Sequence, residues 1–160
     1  MYNFKPAPGA SKSQLYADLL AAAEGLTAGE RDGVANMANV AALLWEFLPD
    51  LNWAGFYRAV EGELVLGPFA GRPACIRILF GQGVCGGAAA SGATQIVPDV
   101  HAFPGHIACD AASRSELVVP VMRDGKVRAV IDLDSPLPAR FDAEDAAGIE
   151  TLAQMLAERI

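Results

Sequence analysis

The feature that most constrains the fold is a pair of apolar runs joined by a two-residue turn. Residues 116–122 and 126–134 are rich in valine, leucine and isoleucine, and Asp124-Gly125 lies between them. Asp-Gly is a preferred turn sequence for a β-hairpin because both residues tolerate the positive φ angles of that turn. The sequence therefore predicts two antiparallel strands here, the second ending at Ser135-Pro136.

A second hairpin and three amphipathic helices complete the expected architecture. Residues 53–60 and 63–69 are aromatic and aliphatic, and Glu61-Gly62 forms the turn between them. Helical spacing of apolar residues predicts helices at residues 13–25, 32–48 and from residue 142 onward. In the second of these, the predicted buried face carries Val34, Met37, Ala38, Ala41, Leu44, Trp45 and Leu48. This order favours an α+β domain, with an antiparallel sheet covered by helices on one face.

Composition restricts the class of protein. The chain has 160 residues, of which 52% are apolar, and we expect a loose arm at residues 1–12 followed by one domain at residues 13–160. The formal charge of −7, with no basic cluster, argues against nucleic-acid binding. No apolar run approaches the roughly 18 residues needed to span a bilayer, and no signal peptide is evident, so we expect a cytoplasmic protein.

Cysteines provide the first indication of chemistry. Cys75, Cys85 and Cys109 have neither zinc-site nor C-x-x-C spacing, and three buried thiols are the simplest interpretation. Cys109, however, belongs to a long loop, where His106 or nearby backbone N–H groups would stabilise a reactive thiolate. A metal site formed with His101 and His106 is the alternative, and it lacks a fourth ligand at zinc-like spacing.

Three acidic residues flank that loop. Glu116 begins an otherwise apolar strand, and Asp132 and Asp134 are two residues apart, so their side chains lie on the same face of the sheet. They form either an exposed acidic surface or a pocket for an ammonium group, in which one carboxyl stays protonated and acts as a general acid. Trp53 and Tyr57 also share one face, as core residues or as the wall of a ligand site.

Several motifs in this order resemble those of the GAF-domain free methionine-(R)-sulfoxide reductases. The similarity extends over about residues 14–158, and the motifs are Asn52-Trp53-Ala54-Gly55-Phe56-Tyr57, Leu66-Gly67-Pro68-Phe69, Pro73-Ala74-Cys75-Ile76-Arg77-Ile78, Gly83-Val84-Cys85-Gly86, Phe103-Pro104-Gly105-His106-Ile107-Ala108-Cys109-Asp110, Ser113-Arg114-Ser115-Glu116 and Asp132-Leu133-Asp134-Ser135-Pro136. The resemblance implies a GAF fold with a loop-covered ligand pocket on the sheet face opposite the helices. It also implies reduction of free methionine-(R)-sulfoxide to methionine.

The resemblance assigns roles to individual residues. Cys109 matches the nucleophile, Cys75 the principal resolving cysteine and Cys85 a secondary one. The residues expected to bind substrate are Trp53, Tyr57, Ile107, Ala108, Glu116, Asp132 and Asp134. Attack of a thiolate on the sulfoxide needs a proton for the departing oxygen, which Glu116 or Asp134 would supply. The resulting sulfenic acid would condense with a second thiol to a disulfide.

The same resemblance implies partners and an alternative. Thioredoxin would reopen the disulfide by thiol exchange, so that no metal or organic cofactor is needed. Together with the apolar N-terminal helices, the family resemblance also makes a homodimer an expectation. The alternative is a GAF sensor module that binds a small ligand without turnover, and such a module has no need for Cys109 among three acids.

Overall fold

Two antiparallel hairpins form the centre of the fold. The computed structural model describes residues 4–103 and 110–160. Its elements are α1 (Lys12–Thr27), α2 (Gly33–Phe47), α3 (Gly83–Ser91), α4 (Ala143–Leu156), β1 (Trp53–Val60), β2 (Glu63–Gly71), β3 (Arg77–Leu79), β4 (Gln95–Val97), β5 (Ser115–Arg123) and β6 (Lys126–Ser135). The strands form one sheet in the order β3-β2-β1-β6-β5-β4, with all neighbours antiparallel. This confirms the predicted α+β class.

The turn between β5 and β6 has the geometry that its sequence predicts. Asp124 and Gly125 both have positive φ, 52° and 70°, as a turn that follows the right-handed twist of the strands requires. The register after this turn sets Glu116 opposite Asp134 and Val118 opposite Asp132. Side chains alternate along β6, so Ile131 and Leu133 face one side of the sheet while Asp132 and Asp134 face the other.

Helices α1, α2 and α4 cover the face that carries Ile131 and Leu133. The main core lies between these helices and the sheet and includes Leu19, Val40, Leu44, Phe56, Leu117, Ile149 and Leu156, each essentially inaccessible to solvent. The predicted buried face of α2 was wrong at three positions, because Val34 is 51% exposed, Trp45 is 43% exposed and Ala38 is exposed as well. Each successive residue is rotated by about 100° around a helix axis, and Leu44, not its neighbour Trp45, points into the core.

A buried carboxylate connects the first helix to the last. Asp145 is 1% exposed and accepts a hydrogen bond from the hydroxyl of Tyr16 at 2.7 Å. It also pairs with Lys12 at 2.9 Å and with Arg140 at 3.3 Å. Burial raises the pKa of the Tyr16 phenol above its ordinary value, and the hydrogen bond to Asp145 acts in the same direction. Paired in this way, the carboxylate fixes how α1 crosses α4.

The opposite face of the sheet carries a second, smaller core. Trp53 and Tyr57 from β1 pack there with residues from α3 and from the 3-10 turn Val100–Ala102. The N-terminus of α3 thereby lies above the acidic positions of β5 and β6. Within residues 4–103 and 110–160, no helix combines the length and the apolar character needed to cross a membrane.

Substitution of Gly148 by alanine tests the close packing of α1 on α4. A Cβ atom at Gly148 would overlap the ring of Tyr16, whereas a Cβ at Gly25, within α1, would meet nothing within 4 Å. We expect Gly148→Ala to lower the free energy of unfolding by about 1–3 kcal/mol through overpacking. Gly25→Ala, the matched control, should raise it by about 0.5 kcal/mol through helix propensity. Urea unfolding measures both, and equal effects of the two variants would contradict the packing described here.

Candidate active site

Three carboxyl groups converge on the sheet face opposite the main helix layer. Glu116 and Asp134 are cross-strand partners. Asp132 lies two residues before Asp134 in β6, so its side chain is on the same face of the sheet. Glu116 and Asp132 are each 6% exposed, so both carboxyl groups have lost most of their contact with water. The pattern of the strands therefore produces a buried acidic pocket, not an exposed acidic surface.

Cys85 closes the pocket from the first turn of α3. Its Sγ lies 3.9 Å from Glu116 Oε1, in the geometry of a thiol that donates a weak hydrogen bond. One ligand atom from each of Cys85, Glu116 and Asp132 lies within 4.8 Å of the others. A thiol and two carboxylates are able to hold a divalent cation, although the sequence interpretation requires no metal for the chemistry.

Burial changes the acid–base properties of the whole cluster. It raises the pKa of Glu116 well above the ordinary value, and the charges of Asp132 and Asp134 raise it further. Burial also raises the pKa of Asp132, to about 6, and that of Asp134. The pKa of the Cys85 thiol is raised for the same reason, with the neighbouring acids adding to the effect. Burial thus shifts every group of this cluster towards its protonated form.

One oxygen in this cluster lacks a hydrogen bond. Among the residues described, Asp132 Oδ1 is buried and finds no donor. An unsatisfied buried acceptor is costly, by about 1–3 kcal/mol, and more if it is charged. The pocket is therefore complementary to a ligand that supplies N–H donors and positive charge.

Aromatic rings form another wall of the pocket. The rings of Trp53 and Tyr57 lie 5.8 Å apart, and Trp53 also stacks on Phe69 at 5.2 Å. The indole N–H donates to the backbone oxygen of Arg72, and the Tyr57 hydroxyl donates to that of Cys75. These bonds fix both rings, which leaves an apolar surface beside the acids.

The structure brings six of the predicted site residues to one cavity: Trp53, Tyr57, Cys85, Glu116, Asp132 and Asp134. Cys75 is half-buried in the segment between β2 and β3, next to Ala74, which lines the cavity. Ile107, Ala108 and Cys109 lie outside the residues that the structure describes, as does His106. His101, the other residue of the alternative metal site, is exposed in the 3-10 turn.

Sequence reasoning missed several polar residues that line the cavity: Arg72, Gln82, Asp110 and Ser113. Asp110 and Ser113 belong to the motifs that contain Cys109 and Glu116, and the functional interpretation of those motifs rested on the cysteine and the glutamate. Gln82 precedes α3 without capping it through its side chain. Arg72 comes directly after β2. Its position at the end of a hairpin strand was the one sequence signal that indicated proximity to the site.

The raised pKa of Glu116 has a consequence for stability. Its folded-state pKa lies above its unfolded value, so the stability it contributes is present at low pH and is lost as the pH rises through the folded-state pKa. We expect Glu116→Gln to raise the free energy of unfolding at about pH 8 by at least about 1 kcal/mol. Below about pH 3 the gain should vanish, because the carboxyl is then protonated in both states.

Urea unfolding at several pH values measures this gain. Glu24→Gln, at an exposed position of α1, is the matched control and should give no comparable gain at high pH. A gain for Glu116→Gln that is independent of pH would contradict the electrostatic explanation.

Comparisons with known proteins identify the family to which the chain belongs. Residues 36–160 match the family model of the GAF domain. A free methionine-R-sulfoxide reductase of Escherichia coli is 49% identical over 91% of this chain and 88% of its own length. The solved free methionine-R-sulfoxide reductase of Neisseria meningitidis, in complex with its substrate, is 46% identical, with a TM-score of 0.94 over 99% of this chain and 95% of that one.

A more distant structure shows how far the fold alone extends. The GAF domain of a phosphoenolpyruvate-protein phosphotransferase from Coxiella burnetii is only 19% identical, yet it superimposes with a TM-score of 0.83 over 93% of this chain and 94% of that one. Proteins that share this fold therefore need not share the acidic pocket. The high identity over nearly full length is more specific, and this chain belongs to the GAF-domain family of free methionine-R-sulfoxide reductases.

Proposed function

We propose that the acidic pocket binds free methionine-(R)-sulfoxide and that the chain reduces it to methionine. The observation that carries this proposal is Asp132 Oδ1, a buried acceptor that finds no donor among the described residues and lies between an aromatic wall and two further carboxyls. The α-ammonium group of a free amino acid supplies the missing donor and offsets the charge. Methionine sulfoxide within a peptide has an amide there in place of the ammonium group.

The reaction itself requires a nucleophile and an acid. The thiolate of Cys109 attacks the sulfoxide sulfur while an acid protonates the sulfoxide oxygen. The hydroxyl group then passes to the Cys109 sulfur as the new S–S bond breaks, so that the products are methionine and a sulfenic acid on Cys109. Glu116 and Asp134 are the candidate donors of that proton, because burial raises the pKa of both carboxyl groups and so favours their protonated forms. The apolar faces of Trp53 and Tyr57 fit the methyl group of the sulfoxide.

A second thiol then regenerates the enzyme. We assign this role first to Cys75, since burial among carboxyl groups raises the pKa of Cys85 and disfavours its thiolate. Condensation of the Cys75 thiol with the sulfenic acid releases water and forms a disulfide. Thioredoxin, a dithiol, reopens this disulfide by exchange, which suits a reducing compartment such as the cytoplasm and needs no bound cofactor.

Substrate selectivity tests the proposal. With thioredoxin, thioredoxin reductase and NADPH, we expect turnover of free L-methionine-(R)-sulfoxide. The S epimer and the N-acetylated R-sulfoxide should react at least about 10²-fold more slowly, because specificity built on a buried charge pair is strong. Equal rates on free and acetylated substrate would contradict an ammonium-binding pocket. Binding of the free sulfoxide without any turnover would favour the sensor alternative.

Cysteine variants test the assigned thiols. Cys109→Ser should abolish turnover, because a hydroxyl is a much weaker nucleophile toward sulfur than a thiolate. Cys75→Ser should still convert about one equivalent of substrate and then stop, whereas Cys85→Ser should continue to cycle. Peptide mass spectrometry of substrate-treated wild type should find Cys75 and Cys109 linked. A Cys75→Ser enzyme that cycles at the wild-type rate would overturn the role of Cys75.

A further inference from the structure

Asn52, the residue before the aromatic wall, holds the chain on the C-terminal side of Cys109. Its amide Nδ2 donates to Asp110 Oδ2 at 3.2 Å and to Ser113 Oγ at 3.0 Å. Its backbone N–H donates to the carbonyl oxygen of Asp134 at 3.0 Å. One residue at the entrance of β1 therefore contacts the segment after Cys109 and the end of β6 at the same time.

Asp110 is held from several sides. Its Oδ1 accepts from the backbone N–H of Ala112 at 2.9 Å, and Arg72 Nη1 lies 4.0 Å away. The bond from Ala112, the amide of Asn52 and the charge of Arg72 keep the pKa of Asp110 below its ordinary value. This carboxylate belongs to the residue directly after Cys109, so its fixed position constrains the adjacent backbone.

Ser113 extends the same network to the acidic pocket. Its hydroxyl oxygen accepts from Asn52, which leaves the hydroxyl hydrogen available to the Asp134 carboxyl, and the interaction with Ser113 opposes the rise in the pKa of Asp134. Asn52 thus lies between Asp110, beside the nucleophile, and Ser113, beside a candidate proton donor.

The orientation of the Asn52 amide follows from its partners. Turning the amide over would set its oxygen against the Asp110 carboxylate, and two acceptors repel each other. In the present orientation Asn52 Oδ1 is buried and, among the described residues, has no donor. The side chain thus directs both of its donors to Asp110 and Ser113.

We propose that Asn52 is a positioning residue that fixes Asp110 and Ser113, in the segment directly after Cys109, relative to Asp134 and the acidic pocket. This role rests on the proposed function, in which Cys109 is the nucleophile. In this scheme Asn52 takes no part in the chemistry itself.

Asn36 offers a matched control for a purely structural amide. It is 1% exposed, and its Nδ2 donates to the backbone oxygens of Glu30 at 3.3 Å and Arg159 at 2.8 Å, on the helix side of the sheet. Asn36→Ala and Asn52→Ala each remove two hydrogen bonds from the same kind of side chain. Both should lower stability, and only Asn52→Ala should change the chemistry.

The experiment measures kcat and KM for free methionine-(R)-sulfoxide at a temperature where urea unfolding shows each variant to be folded. We expect Asn52→Ala to lower kcat by about 10–100-fold, since small misalignment of reacting groups has effects of this size. KM should change much less, because the acids and aromatic rings that bind substrate are intact. Asn36→Ala should keep the wild-type kcat.

Exchanging the donor and the acceptor between Asn52 and Asp110 separates the effect of their hydrogen bond from the effect of side-chain volume. Asn52→Asp keeps the shape, loses both N–H donors and faces Asp110 with a like charge, so its kcat should fall at least as far as that of Asn52→Ala. Adding Asp110→Asn restores a donor–acceptor pair and should recover part of the loss. Absence of any recovery would contradict the Asn52–Asp110 hydrogen bond as the cause.

The outcomes distinguish this role from the proposed function. An active wild type with an unaffected Asn52→Ala, or an equal loss in Asn36→Ala, refutes the positioning role and leaves the proposed function intact. A wild type that does not reduce the sulfoxide refutes the proposed function, and the positioning role with it.

Discussion

The burial of three carboxyl groups on one face of the β5–β6 hairpin determines much of the rest of this structure. Each ionised carboxylate there loses hydration and repels the other two, so the pocket favours a bound proton or a cation. Strand pairing maintains this arrangement, since Glu116 and Asp134 are opposite each other in the ladder and neither can withdraw without breaking it. A ligand that brings an ammonium group relieves both the desolvation and the repulsion.

The remainder of the fold supplies the stability that this arrangement lacks. Helices α1, α2 and α4 bury a continuous apolar core against the other face of the same strands. Residues that alternate along one strand therefore have opposite functions: Leu117 and Leu133 are fully buried in the core, whereas Glu116 and Asp134 line the pocket. Asp145, in the helix layer, is also a buried acid, but its carboxylate pairs with Tyr16, Lys12 and Arg140. It therefore stabilises the packing of the helices.

Local patterns in the sequence were sufficient to predict the two hairpins, the helices and the shared face of Asp132 and Asp134. Each of these depends on neighbours within a few residues. The exposure of Trp45 was not predictable in this way, because the direction in which α2 packs depends on the sheet beneath it. The contacts of Asn52 with Asp110 and Ser113 span about 60 residues of chain. No local pattern carries such contacts, although the position of Asn52 beside Trp53 was visible.

The alternation of side chains along β5 and β6 also bears on how such a domain changes over evolutionary time. Since the core and the pocket use opposite faces of the same strands, substitutions at the pocket positions need not disturb the packing of the helices. Lineages that inherit this sheet are then able to exchange one ligand for another, or to gain and lose a thiol, while keeping the scaffold. Divergence of function with little divergence of backbone is the expected history of a domain built in this way.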